Sequence, residues 1–181
     1  MEMTGEQLIP AVQAEVWRGL NDPDVLKACI SGCESIERLS EHEYLVLTTV
    51  AIGPVKAKFK GKLLLANLDP PNAYSLSFDG QGGAAGFGKG TAKVSLAAES
   101  AGTRLSYAVK AQVGGKLAQL GSRLIDGVAK KMADDFFAAF NANMAAAAPA
   151  AMPAAEAVPG AAPLWWVIVI IAAMFLLAYF G

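Results

Sequence analysis

The sequence predicts an α+β fold in which an antiparallel sheet wraps a long C-terminal helix, with one C-terminal transmembrane helix beyond it. Three patterns carry this reading. Along Val55–Leu65, the residues Val55, Ala57, Phe59, Gly61, Leu63 and Leu65 share one face, and Lys56, Lys58, Lys60 and Lys62 share the other. That period of two belongs to a strand with one face buried. From Lys116 to Met144, Leu117, Leu120, Leu124, Val128, Met132, Phe136 and Phe140 recur every three or four residues, the mark of a helix with one apolar stripe. Leu164–Phe180 carries no charge at all. As a helix rising ~1.5 Å per residue it reaches about 25 Å, the short end of what a bilayer needs.

The remaining elements come in chain order. A short strand opens the chain. A helix beginning at Pro10 succeeds it, because Val12, Val16 and Leu20 recur at helical spacing. Asp22 caps a second short helix that Pro23 opens, a favourable pairing because proline's missing N–H costs little in a first turn. After Gly32 the period changes to two. Tyr44–Ile52 reads as the strand before Val55–Leu65, Tyr74–Gly80 as the strand after it, and Gly88–Leu96 and Arg104–Val113 complete an antiparallel meander. The globular domain therefore covers residues 1–144. An Ala/Pro-rich linker, 145–163, has Glu156 as its only charge, and its prolines favour an extended chain reaching on the order of 50 to 70 Å. Residues 164–181 form the tail anchor, with Trp165 and Trp166 at one membrane interface and Tyr179 at the other. With basic residues retained in the cytoplasm, the expectation is a single-pass protein of the cytoplasmic membrane whose N-terminal domain faces the cytoplasm.

Composition excludes several functions. Fifteen Lys and Arg oppose sixteen Asp and Glu, and no basic cluster interleaves with aromatics, so nucleic acid is not an expected partner. The start, Met1-Glu2-Met3-Thr4-Gly5-Glu6, is acidic where a secretory signal is basic. Cys29 and Cys33 are the only cysteines, too few for a disulfide framework, and with His42 alone in a polar turn they make no metal site. Ser40 lies near His42 in sequence without an orienting third group, so nucleophilic catalysis has no machinery.

Gly83–Lys89 matches most of a phosphate-binding loop, but Gly90 stands where a hydroxyl should hold magnesium. The next residues, Thr91–Leu96, alternate like a strand rather than opening a helix toward phosphates. The glycines therefore read as a turn and a kinked strand pair. The lysine row reads first as a solvated face; the alternative is a docking face for an acidic partner or anionic headgroups. Ala57, Gly61, Gly88, Gly90, Ala92 and Ala111 fall on the apolar side, which leaves either a ligand cavity or a gap that larger neighbours fill. The candidate cavity residues are Phe59, Phe78, Phe87, Leu105 and Tyr107 from the sheet, with Leu117, Leu120, Leu124 and Val128 from the helix. Enzymatic chemistry on such a domain would need polar residues such as Tyr107 and Asp79 to converge.

Four stretches are more specific: Cys29-Ile30-Ser31-Gly32-Cys33-Glu34, Gly53-Pro54-Val55-Lys56, Gly80-Gln81-Gly82-Gly83-Ala84-Ala85-Gly86-Phe87 and Gly114–Arg123. Together they resemble the carbon monoxide dehydrogenase G-subunit family, of the START-like, polyketide-cyclase-like helix-grip superfamily, over nearly all of Met1–Met144. The resemblance implies a non-catalytic accessory that recruits a molybdenum-containing carbon monoxide dehydrogenase, or a related molybdenum hydroxylase, to the cytoplasmic membrane. It requires no cofactor, and it implies an apolar ligand, with menaquinone or ubiquinone as the respiratory candidates. A lipid or quinone carrier with no dedicated enzyme partner is the alternative.

Overall fold

The computed structural model describes residues 1–147. Seven strands form one antiparallel sheet in the order β1-β7-β6-β5-β4-β3-β2: β1 Glu2–Ile9, β2 Cys33–Arg38, β3 Glu43–Ile52, β4 Val55–Asp69, β5 Ala73–Gln81, β6 Phe87–Glu99 and β7 Gly102–Gly114. From β2 to β7 the chain is the expected meander. β1 joins it at the far edge by pairing with β7, from Glu2 opposite Lys110 to Ile9 opposite Thr103. β2 forms the other edge by pairing with β3.

Two short helices, α1 Gln13–Leu20 and α2 Pro23–Cys29, connect β1 to β2. Asp22 caps α2 as expected, its side chain accepting from the Asp24 N–H at 2.9 Å, with Pro23 in the first turn. α1 begins later than Pro10. Val12 is the residue before its first turn and is 62% exposed, so it does not join Val16 and Leu20 in the core. Thr103, fully buried, fixes this corner by donating its hydroxyl to the Ala11 carbonyl at 2.8 Å.

The expected helix from Lys116 is interrupted. A one-turn 3-10 helix, Ala118–Leu120, ends at Gly121, whose φ of 86° lies in the left-handed region, and the long helix α3 then runs Ser122–Ala147. Leu117 and Leu120 therefore belong to a connector rather than to the helix. On α3 the buried residues are Ile125, Phe137, Phe140 and Met144. The stripe is rotated by about one residue from the expected one, and Leu124 is 40% exposed. At this period neighbouring apolar pairs, Leu124-Ile125 and Phe136-Phe137, leave the phase of the stripe open until the sheet selects it.

β4 alternates as its sequence requires: the lysines face out, and Phe59, buried, faces in with Gly61, Leu63 and Leu65. Packing between sheet and helices divides into two clusters. One, at the C-terminal end of α3, holds Ile9, Val16, Leu20, Tyr74, Leu96, Leu105, Phe137, Phe140 and Met144. The other, at its N-terminal end, holds Ile52, Phe59, Ala85, Leu117 and Ile125. Among the described residues no helix is long and apolar enough to cross a membrane. The expected span 164–181, with Trp165, Trp166 and Tyr179, and the linker beyond Ala147 lie outside the described residues.

Candidate functional site

An apolar cavity of about 440 Å³ lies between the inner face of the sheet and the three helices. Its floor comes from alternate residues of adjacent strands: Leu63 and Leu65 of β4, Tyr74, Leu76 and Phe78 of β5, Ala92 and Val94 of β6, Leu105, Tyr107 and Val109 of β7. Period two fixes this membership, because each residue two positions along returns to the same face. Leu26 and Ile30, from α2 and its C-terminal end, with Ala133, Phe136 and Phe137 of α3, form the opposite wall. The volume falls within the roughly 300–1,000 Å³ typical of ligand sites.

Among the described residues no charged side chain lines the cavity, and its polar groups are the phenols of Tyr44, Tyr74 and Tyr107. Tyr44 donates to the Asn21 carbonyl at 3.3 Å. Burial, with the neighbouring Tyr44 adding in the same direction, pushes the Tyr74 hydroxyl well above its usual range, so it stays protonated. The Tyr107 ring stacks on Phe137 with centroids 5.3 Å apart. Such a chamber can hold an apolar molecule and offer hydrogen-bond donors, and among the described residues no carboxylate, imidazole or thiol lines it. Asp79 faces outward, where Gln81 donates to it, while Tyr107 faces inward, so the two do not converge.

Of the nine expected cavity residues, the structure brings Phe78, Leu105 and Tyr107 to this chamber. Phe59 and Leu117 are instead buried in the second cluster, with Leu120 and Val128 packed against it. Phe87 covers Gly114, and Leu124 lies beside Gly53 on the surface. Period two could have placed Tyr74 and Leu76 with Phe78; nothing local in the sequence pointed to Leu26 or Ile30.

The small inward residues divide between a filled gap and open space. At Gly90 an added Cβ would meet the Lys110 carbonyl first, then the Ala111 Cα and the Phe78 ring at 2.9 Å each, so neighbours fill that gap, whereas at Gly88 it would meet nothing within 4 Å. The glycine-rich segment is a pinned joint. Gly82 N–H donates to the Gly86 carbonyl at 2.8 Å, Leu117 N–H donates to the Ala85 carbonyl at 3.0 Å, and Gly115 packs on the Gly86 backbone.

On the outer face, Lys58 pairs with Glu34 and Lys62 with Glu43, each at 2.9 Å, and Lys110 pairs with Glu2 at 3.0 Å. Lys56 and Lys60 project from the same face of β4. Glu34 titrates below its usual range, first because Lys58 and then Thr49 donate to its carboxylate. Burial raises the pKa of the Cys29 and Cys33 thiols, with Lys27 partly offsetting it at Cys33, which favours the thiol over the thiolate. Among the described residues no group of His, Cys, Asp and Glu is arranged to hold a metal ion.

Residues 5–145 match the profile of the CoxG family, the G-type subunit of carbon monoxide dehydrogenase. The chain belongs to the CoxG family. Membership points to an accessory role beside carbon monoxide dehydrogenase. A crystal structure of a conserved protein from Geobacillus kaustophilus is 33% identical and superposes with a TM-score of 0.76, over 81% of this chain and 96% of that one. A protein from Thermus thermophilus, at 20% identity and a TM-score of 0.62, covers 82% of this chain and matches over 100% of its own. Another from Mycobacterium smegmatis, at 16% and 0.61, covers 80% and 91% respectively. These last two share the fold, the START-like helix-grip arrangement of a sheet around its C-terminal helix. No curated protein matches the chain.

Proposed function

We propose that this CoxG-family chain is a membrane-tethered accessory that recruits a molybdenum-containing carbon monoxide dehydrogenase to the cytoplasmic membrane and holds a respiratory quinone in its apolar cavity. The observation that carries the reading is a chamber of about 440 Å³, lined by no charged side chain among the described residues, in a member of a dehydrogenase-subunit family. Menaquinone or ubiquinone suits it chemically. The walls offer apolar surface to an isoprenoid chain, worth about 25 cal/mol per Å² buried, and phenols are the donors that ring oxygens need.

In this reading residues 164–181 are the anchor, with Trp165, Trp166 and Tyr179 at the interfaces, and the Ala/Pro-rich linker expected over 145–163, whose first three residues α3 takes, gives the domain reach. The enzyme docks on the outer face, where Lys56, Lys58, Lys60 and Lys62 complement an acidic surface. The chain binds and positions; the dehydrogenase performs the chemistry.

Native mass spectrometry of the full chain released from its own membranes, followed by organic extraction, tests the cavity. One quinone per chain is the expected result. A phospholipid in its place would favour the carrier reading, and an empty chain that still binds the dehydrogenase would reduce the protein to a tether. Recruitment is tested separately by fractionation: the dehydrogenase sediments with membranes only when 164–181 is present.

A further inference from the structure

Beside the apolar chamber lies a second, polar cleft of about 350 Å³ between the edge strand β1 and α3. Its walls include Glu2 and Gln7 of β1 and Asp126, Lys130 and Asp134 of α3, together with Met3, Gly5 and Tyr107. Among the described residues, Met3 and Tyr107 are the two that line both the chamber and the cleft.

The dividing wall has a specific construction. The ring of Tyr107 belongs to the chamber through its stack on Phe137, while its hydroxyl end reaches across β1 and occupies the place a Cβ would take at Gly5. A glycine at this point of the edge strand is what lets the phenol through. The hydroxyl makes no hydrogen bond to any other described residue. Lys130 stands on the far side of the cleft, held by Asp134 at 2.7 Å; its pKa is raised chiefly by that hydrogen bond and charge, with a smaller contribution from Tyr107. The other half of the wall, Met3, is an unbranched thioether that changes shape easily.

Resting on the reading that the chamber takes an apolar ligand, we infer that the β1–α3 cleft is the head-group half of the same site: it binds an oxygen-bearing ring, with Tyr107 and Lys130 as donors, while the chamber takes the attached apolar chain. The division follows from where donors are. Ring carbonyls drawn wholly into the chamber would lose water and meet, besides Tyr107, only the phenols of Tyr74 and of Tyr44, which already donates to Asn21, whereas at the cleft the Tyr107 hydroxyl and the two remaining donors of the Lys130 ammonium stand near solvent. A ligand that spans both spaces crosses at Met3 and Tyr107, the residues common to the two linings.

The test is displacement of a fluorescent apolar probe from the detergent-solubilised full chain by decylubiquinone, which has a head, and by squalene, which has none. In Lys130→Gln and in Tyr107→Phe, the ratio of decylubiquinone to squalene affinity falls about five- to tenfold, the effect of one lost donor, with the unfolding midpoint unchanged. An unaltered ratio in both variants overturns the head-group assignment and leaves the chamber reading intact. Equal weakening of both ligands also overturns it, because Tyr107 and Lys130 would then be acting as wall alone. If neither ligand displaces the probe from the wild-type chain, the chamber reading itself fails and takes this inference with it.

Discussion

The two ends of α3 solve opposite packing problems. At its N-terminal end, Phe59 covers Gly82, Leu117 is tied to Ala85, and glycines let backbone meet backbone, so Ile125 closes on a solid cluster. Toward its C-terminal end stand larger side chains, Phe136, Phe137, Phe140, Tyr74 and Tyr107, yet beside them a chamber of about 440 Å³ remains. Bulk alone therefore does not fill a core. Rings that stack on one another, such as Tyr107 on Phe137 and Phe136 on Phe140, support each other and leave room beside them.

The contrast can be broken most severely at Phe140, which is fully buried on the helix that both clusters share. Phe140→Ala is expected to remove about 3–5 kcal/mol of stability in urea unfolding, near the limit a domain of this kind tolerates. Next is the pinned joint. Gly115 sits at a φ of 74° with its Cα side against Gly86, so Gly115→Ala strains the backbone and forces the two loops apart. A loss of about 1–3 kcal/mol is expected, while ligand uptake by the chamber at the other end survives. Ala92→Leu sharpens the comparison from the opposite side. It fills the chamber floor and shifts stability by less than about 2 kcal/mol in either direction, yet it lowers binding of an apolar ligand at least tenfold in probe displacement.

The chamber also predicts a pH effect. Because the folded state raises the Tyr74 pKa, its contribution is fully present below the usual tyrosine value of about 10 and is lost as pH rises above it. Tyr74→Phe should flatten that alkaline decline in stability. The smallest effect belongs to the outer face. Lys58→Gln removes an exposed pair with Glu34 and leaves the unfolding midpoint unmoved, although it weakens dehydrogenase capture at low salt.

These differences also explain what could be read from the residues. The alternation from Lys56 to Lys62 carries strand and facing together, and Asp22-Pro23 carries a helix start, because both signals are local. The break at Gly121 is hidden because Leu117, Leu120 and Leu124 continue a helical period through it; only the tie from Leu117 to Ala85, distant in sequence, shows why the connector turns aside. The same cause hides much of the site. Period two puts Phe59 and Phe78 on one face, but it does not tell which end of α3 each will meet, and those ends are the solid cluster and the chamber respectively. Leu26 and Ile30 are set opposite the sheet by the path of the chain and leave no mark in local periodicity.

Whether the chamber carries the protein's ligand is decided most directly by extraction and mass analysis of the wild-type full chain and of Ala92→Leu, both isolated from the same membranes. One quinone per wild-type chain, and its loss from Ala92→Leu at preserved fold, is the expected result; equal quinone in both, or none in either, would contradict a ligand-bearing chamber.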